Sequence, residues 1–251
     1  MRTSILSLMT WRYTVCFIAV ALGAPAGCAW SRKAALDVVD PELRAKGEPL
    51  ARTESKGSGV RLGSYEVSAP NLAREEAGTE GLLPATSAPR PVVQHRLDLD
   101  LSATTTGRAW AVECVTQRRQ PASMDYAAAL DENRDEIAFQ CTLVGSDSGQ
   151  SLDWAFRAEA ELSHNFAARL SRPGIDRQLS VEVVVWVERF GRIQRHLPIP
   201  VVQVRDGKTT VAAMVLDEPE QAWVSRTVEP EIAEVAMSAM FAIHYLPLGL
   251  R

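Results

Sequence analysis

The feature that most constrains this chain lies near its C-terminal end. From Ile232 to Ile243 (IAEVAMSAMFAI), apolar residues occupy nearly every face of a helical projection once Glu234 is passed. A helix that is apolar all round has to be buried on most of its surface. This one is too short to cross a bilayer, which takes about 20 residues. Thr227-Val228-Glu229-Pro230-Glu231 supplies a cap candidate, a proline near the first turn and acidic side chains at the positive end of the dipole, and Pro247 ends the run. The helix is therefore expected over about 229–245, and the rest of the chain must wrap around it.

Most of that remainder has the texture of strands. His95 to Leu101 alternates with period two, placing the leucines on one face and His95, Asp98 and Asp100 nearer water. Ala109 to Val115 alternates too, and Ile137 to Val144 follows after a polar loop. Leu152 to Leu162 sets Leu152, Trp154, Phe156, Ala158, Ala160 and Leu162 against Asp153, Arg157, Glu159 and Glu161. Phe166 to Leu170 is placed to pair with it. Leu179 to Val187 is the strongest β-former in the chain, and its continuous apolar centre implies a buried strand. Pro198 to Val204 and Thr209 to Leu216 flank Arg205-Asp206-Gly207-Lys208, and Asp-Gly between apolar runs is a strong hairpin signal. Leu62 to Val67 reads as a first short strand, and 71–91, rich in Ala, Glu, Gly and Pro, as an exposed loop. The expected fold class is mainly β (α+β), a curved antiparallel sheet or barrel packed around one apolar C-terminal helix.

Val201 to Val204, Asp206-Gly207, Val211 to Val215, Trp223 and the helix Ile232 to Tyr245 follow one another in an order that resembles the tubby C-terminal and LURP-one-like group. In that group a curved β barrel encloses a C-terminal helix. The resemblance implies a binding or scaffold role, with lipid headgroups as one theme of the group. It carries no ligand residue over to this sequence.

The N-terminal residues give an address. Arg2 and Arg12 precede the apolar run Tyr13 to Ala24, and small residues follow, which is the layout of a secretory signal over 1–27. Two processing routes compete. Ala24-Pro25-Ala26 offers an ordinary A-x-A cleavage site, whereas Pro25-Ala26-Gly27-Cys28 resembles the lipobox of bacterial lipoproteins, in which the cysteine is acylated and becomes the first residue. Pro25 stands where that motif usually carries an aliphatic residue. Lipidation at Cys28 would hold the protein to a membrane of the cell envelope, with the outer membrane or cell surface permitted because Ala29 is not an inner-membrane-retaining Asp. The other route makes it periplasmic or secreted. The stretch 28–60 is polar and aperiodic and reads as a flexible tether, leaving 61–251 as a β-rich globular domain.

Of four cysteines, Cys16 would leave with the signal and Cys28 would carry lipid. Cys114 and Cys141 remain as an even pair on separate strands, which in an oxidising compartment favours a disulfide stabilising by roughly 3 kcal/mol. Two buried thiols are the alternative.

A search for chemistry yields little. Net charge is -4, from 27 Lys+Arg against 31 Asp+Glu, with no basic footprint for nucleic acid. Gly145-Ser146-Asp147-Ser148-Gly149 has Asp at the centre where serine hydrolases place the nucleophile, and fits a turn between strands. His95, His164, His196 and His244 lack metal-ligand spacing and read as surface or capping residues, except His244, which at the end of the apolar helix is expected to be a buried or rim residue with a hydrogen-bond partner. Glu159 and Glu161 share one strand face and suit a solvated edge better than an acid/base pair. Arg118-Arg119 and Arg189, Arg192 and Arg195 make two small basic spots, most simply solubilising. No cofactor and no catalytic set is assigned. The expectation is a non-enzymatic envelope lipoprotein that binds an unknown envelope protein or lipid partner, or serves a structural role. The alternatives are a binder of an apolar ligand, with Met237, Met240 or Phe241 lining a cavity, and a hydrolase with a dispersed site.

Overall fold

The structure is a computed structural model that describes residues 31–53, 59–76, 82, 92–119, 136–147, 150–161, 165–189, 193–217 and 220–246. Among these, thirteen strands form one antiparallel sheet. They are β1 (Glu48–Thr53), β2 (Val60–Leu62), β3 (Tyr65–Val67), β4 (Asn71–Glu76), β5 (Val92–Ala103), β6 (Ala109–Arg119), β7 (Glu136–Asp147), β8 (Gln150–Glu161), β9 (Phe166–Ser171), β10 (Gln178–Arg189), β11 (Ile193–Asp206), β12 (Thr209–Val215) and β13 (Gln221–Val224). The order is β3-β2-β1-β13-β12-β11-β10-β9-β8-β7-β6-β5-β4, and β3 also pairs with β5, so twelve strands close a barrel. β4 continues the line of β3 along the same edge of β5, through the pairs Asn71↔Asp98 to Glu76↔Val93.

The barrel encloses the C-terminal helix. The helical elements are α1 (31–38 of the described chain), α2 (Pro41–Lys46) and α3 (Pro230–Tyr245). α3 touches β3, β5 and β6 on one arc of the ring and β11 and β12 on another, which places it inside. Every residue from Ile232 to His244 is buried. The inward leucines of β5 (Leu97, Leu99, Leu101), with Trp110, Val112, Phe139, Leu143, Trp154, Phe156 and Leu170 from the following strands, meet Val235, Met237, Met240 and Phe241 in one core. Each large apolar side chain buried in this way contributes about 1.5–3 kcal/mol. Among the described residues no helix is long and apolar enough to cross a membrane.

Cys114 and Cys141 face each other across β6 and β7 and form a disulfide, with Cα atoms 4.0 Å apart and both side chains on the buried face. The sequence placed them on separate strands, and the structure makes those strands neighbours and the two residues direct partners.

Four expectations need correction. The first concerns the tether. Residues 31–53 are folded: α1 and α2 lie on the outer face of β10 to β13, and β1 is inserted between β13 and β2 as a stave of the barrel. Ala35, Val39 and Leu43 recur every four residues and pack against Val184, Leu197, Val201, Ala213, Val215 and Trp223. This strap is fixed at its bend by part-buried polar bonds. Asp40 accepts from the Glu42 and Leu43 amides to cap α2, accepts from Thr210 Oγ1 at 3.0 Å, and donates its own amide to Gln203 Oε1 at 3.1 Å.

Second, Leu62 to Val67 is two strands joined by a tight turn. Leu62 pairs with Tyr65 and Gly63 takes φ 56°, a left-handed conformation that glycine adopts without steric cost. Third, the stretch expected as a loop over 71–91 begins with β4; of 77–91 only Leu82 is among the described residues. Fourth, the Asp-Gly hairpin is present one residue out of register. Asp206 pairs with Thr209, so Gly207 (φ 59°) and Lys208 form the loop. Asp206 is left free to bind Arg177 instead.

Candidate functional site

Three constellations of polar side chains stand out, two at the ends of α3 and one on the outer wall. At the N-terminal end of α3, two glutamates three residues apart face strands that carry tryptophans. Trp110 Nε1 donates to Glu234 Oε2 at 2.8 Å, Thr106 Oγ1 donates to Glu234 Oε1 at 2.7 Å, and Arg108 Nε lies 3.0 Å from Oε2. Glu231 repeats the scheme with Trp154 Nε1 at 2.9 Å and Arg172 Nη1 at 3.0 Å. Glu229, at the N-cap position without a capping bond of its own, receives Arg177, which also holds Asp206. Near this cluster, burial first and then the charges of Glu234 and Glu48 push the Tyr65 phenol up to about 12.

The C-terminal end of α3 holds a buried pair. His244 Nε2 is 3.1 Å from Glu220 Oε1, with both side chains almost without accessible surface, and Arg52 Nη1 donates to Glu220 Oε2 at 2.8 Å. Burial pushes the Glu220 carboxyl up. The His244 hydrogen bond, the Glu220 backbone amide, the His244 charge and Arg52 outweigh that and hold it at about 2.

The third feature is a groove of about 450 Å³ on the outer wall of β5, β6 and β7. Its lining includes Gln94, Arg96, Glu113, Gln117, Gln140 and Thr142. Gln117 is buried on this outer face because the chain at Leu82 covers it: the Leu82 amide donates to Gln117 Oε1 at 2.6 Å, and Gln117 Nε2 donates to Gln94 Oε1 at 2.8 Å. Amide, guanidinium and carboxylate groups here offer donors and acceptors to a polar ligand.

The residues singled out in the sequence are mostly scattered. Cys28, His164 and Arg192 lie outside the described residues, as do the side chains of Glu159, Glu161, Arg189, Arg195 and His196. Ser146 and Asp147 end β7, where Asp147 pairs with Gln150 at the start of β8, and Ser148 and Gly149 lie outside the described residues. His95 sits half-buried on β5, where burial first and Arg74 second lower its pKa. Of the basic spot at Arg118-Arg119, Arg119 is only 5 % exposed, so it does not solubilise the surface. Among the described residues no group of three or more His, Cys, Asp or Glu side chains could hold a metal ion.

Of the polar clusters at the helix ends, His244 was expected as a buried or rim residue with a hydrogen-bond partner and is one, paired with Glu220; the cluster at the N-terminal end was missed, though one signal pointed to it. Glu234 is a lone acid inside an apolar helix, and a buried charge has to be paired. Trp110 and Trp154, at inward positions of their strands, were the available donors. Comparison with protein-family models, with curated proteins and with solved structures finds no match to this chain.

Proposed function

We propose that this is an exported envelope lipoprotein, acylated at Cys28, whose barrel has a binding or structural role and no catalytic one. The observation that carries this reading is the Cys114–Cys141 disulfide, joined by the signal-like N-terminal sequence. Disulfides persist in oxidising compartments outside the cytosol. The polar clusters support a non-catalytic role. Glu220 has one oxygen on His244 and the other on Arg52, and Glu234 is enclosed by Trp110, Thr106 and Arg108, so both acids are committed to bonds within the barrel. Met237, Met240 and Phe241, which a carrier of apolar ligands would need as cavity lining, have no accessible surface and belong to the main core. A twelve-strand barrel closed around a C-terminal helix also supports kinship with the tubby C-terminal and LURP-one-like group at the level of architecture.

The test is the intact mass of the mature N-terminal peptide from native membranes, for the wild type and for Cys28→Ser. The expected result is a diacyl or triacyl mass on Cys28 that disappears in the variant. An unmodified peptide beginning at Gly27 would overturn the lipoprotein reading and leave a periplasmic or secreted protein.

A further inference from the structure

We propose that the barrel lies directly against the bilayer on its β10–β13 wall, through the α1–α2 strap, and that the groove on β5–β7 faces away from the membrane. This rests on the lipid-anchor reading of Cys28 and goes beyond it, because it fixes which side of the protein meets the lipid.

Chain length limits how far the anchor can stand from the barrel. Only three peptide steps separate Cys28 from Ser31, and a fully extended chain spans at most about 3.5 Å per residue, so the lipidated residue is within roughly 11 Å of α1. α1 is not itself a tether. Ala35 and Val39 are fully buried against the barrel, and Ala34, Leu36 and Val38 pack beside them. Buried Gln203 and Thr210 hold Asp40 at the strap's bend. A lipid on Cys28 therefore pulls on the barrel wall itself.

The closed strand order then places everything else. Around the ring of twelve, β6 stands six places from β12, so the wall carrying the strap and the wall carrying the groove are opposite each other. The strap presents Arg32, Lys33, Arg44 and Lys46 against Asp37, Asp40 and Glu42, an excess of one positive charge in a chain whose net charge is -4. At about 8–10 Å, the screening length in physiological salt is comparable to the reach of the anchor, so anionic headgroups attract this face. The groove, with its amides and the Arg96–Glu113 ion pair, is turned toward the aqueous space where a polar partner would arrive.

The test uses the full-length acylated protein in vesicles of phosphatidylethanolamine and phosphatidylglycerol containing an acceptor-labelled lipid. One donor fluorophore is placed by Lys33→Cys on α1, another by Ala111→Cys on the outer face of β6, both at exposed positions. The added thiol is the reactive one, since Cys114 and Cys141 are bonded to each other. Energy transfer should be greater at Lys33 than at Ala111. A Gly/Ser spacer of about 15 residues between Ala29 and Trp30, with roughly 20 Å of root-mean-square reach, should abolish the difference. Equal transfer from the two positions without the spacer, or greater transfer from Ala111, would overturn the orientation while an acyl mass on Cys28 in the same sample keeps the anchor. Absence of that mass would overturn the anchor, and the orientation with it.

Discussion

The two ends of α3 are tied to the barrel by the same kind of bond in different surroundings. At the N-terminal end Glu234 is 1 % exposed, and its cationic neighbour Arg108 is itself mostly enclosed, with 13 % of its side chain accessible. At the C-terminal end Glu220 and His244 are as deeply buried, but Arg52 keeps 39 % of its side chain in solvent. One cluster is sealed and the other is vented through an arginine. A cation that loses its acid in a sealed site has no water to turn to, whereas a vented one rehydrates. The difference predicts that the N-terminal cluster is the more brittle and that the C-terminal one couples the fold to its medium.

The largest effect is expected for Glu234→Ala. Removing one member of a buried ion pair costs about 3–5 kcal/mol, because the partner charge is stranded. Here the buried Trp110 indole N–H is stranded as well, whereas Thr106 is exposed and Arg108 keeps its ion pair with Asp147, so the lower end of that range is expected. Urea unfolding should show a lower midpoint with the slope unchanged, the midpoint shift multiplied by the slope giving that loss. A loss below about 1 kcal/mol, the scale of an exposed ion pair, would mean that the N-terminal cluster is not sealed.

Glu220→Ala should cost less, about 1–3 kcal/mol, the scale of leaving a buried donor unsatisfied, because Arg52 can reach water and His244 is the group left without its acceptor. Its distinctive signature is pH dependence. The folded state holds the Glu220 carboxyl at about 2 against an ordinary value of 4.5. A depressed carboxyl contributes its full stabilisation above the ordinary value and loses it as pH falls toward the folded value. Wild type should therefore lose stability between pH 4.5 and about 2, and Glu220→Gln should lose less over that window in thermal melts. Parallel curves for the two proteins would show that the pair does not couple folding to pH.

How much of this was legible in the sequence depends on whether a signal was local. The period-two alternation of β5, β6 and β8 gave their inward faces, and the all-round apolarity of α3 gave an enclosing sheet, because each pattern is complete within one element. The Cys114–Cys141 bond followed from counting and from the strands that carry the two residues. The strap was missed although its signs were present. Asp40-Pro41-Glu42 has the same form as Glu229-Pro230-Glu231, which was recognised as a helix start, and Ala35, Val39 and Leu43 keep helical spacing. Its demand was also visible at a distance. Val183-Val184-Val185 and Val211 to Val215 are apolar on both faces, so their strands need a cover outside as well as a helix inside. Pairings between elements, such as Glu234 with Trp110 or Glu220 with His244, have sequence separations that no local pattern encodes.

The smallest effect sharpens the comparison most. Glu231 has the same partners as Glu234 in kind, an indole N–H from Trp154 and a guanidinium from Arg172, and lies on the same turn of α3. It differs in burial, since 21 % of its side chain and 25 % of Arg172 are accessible. If burial sets the strength of the N-terminal cluster, Glu231→Ala should cost only about 1 kcal/mol, since Arg172 can rehydrate in part and the buried Trp154 indole is the one donor left unsatisfied. A loss equal to that of Glu234→Ala would instead make the indole–carboxylate geometry the source of the strength. The sealed and vented descriptions of the two ends would then give way to one based on which donor each acid meets.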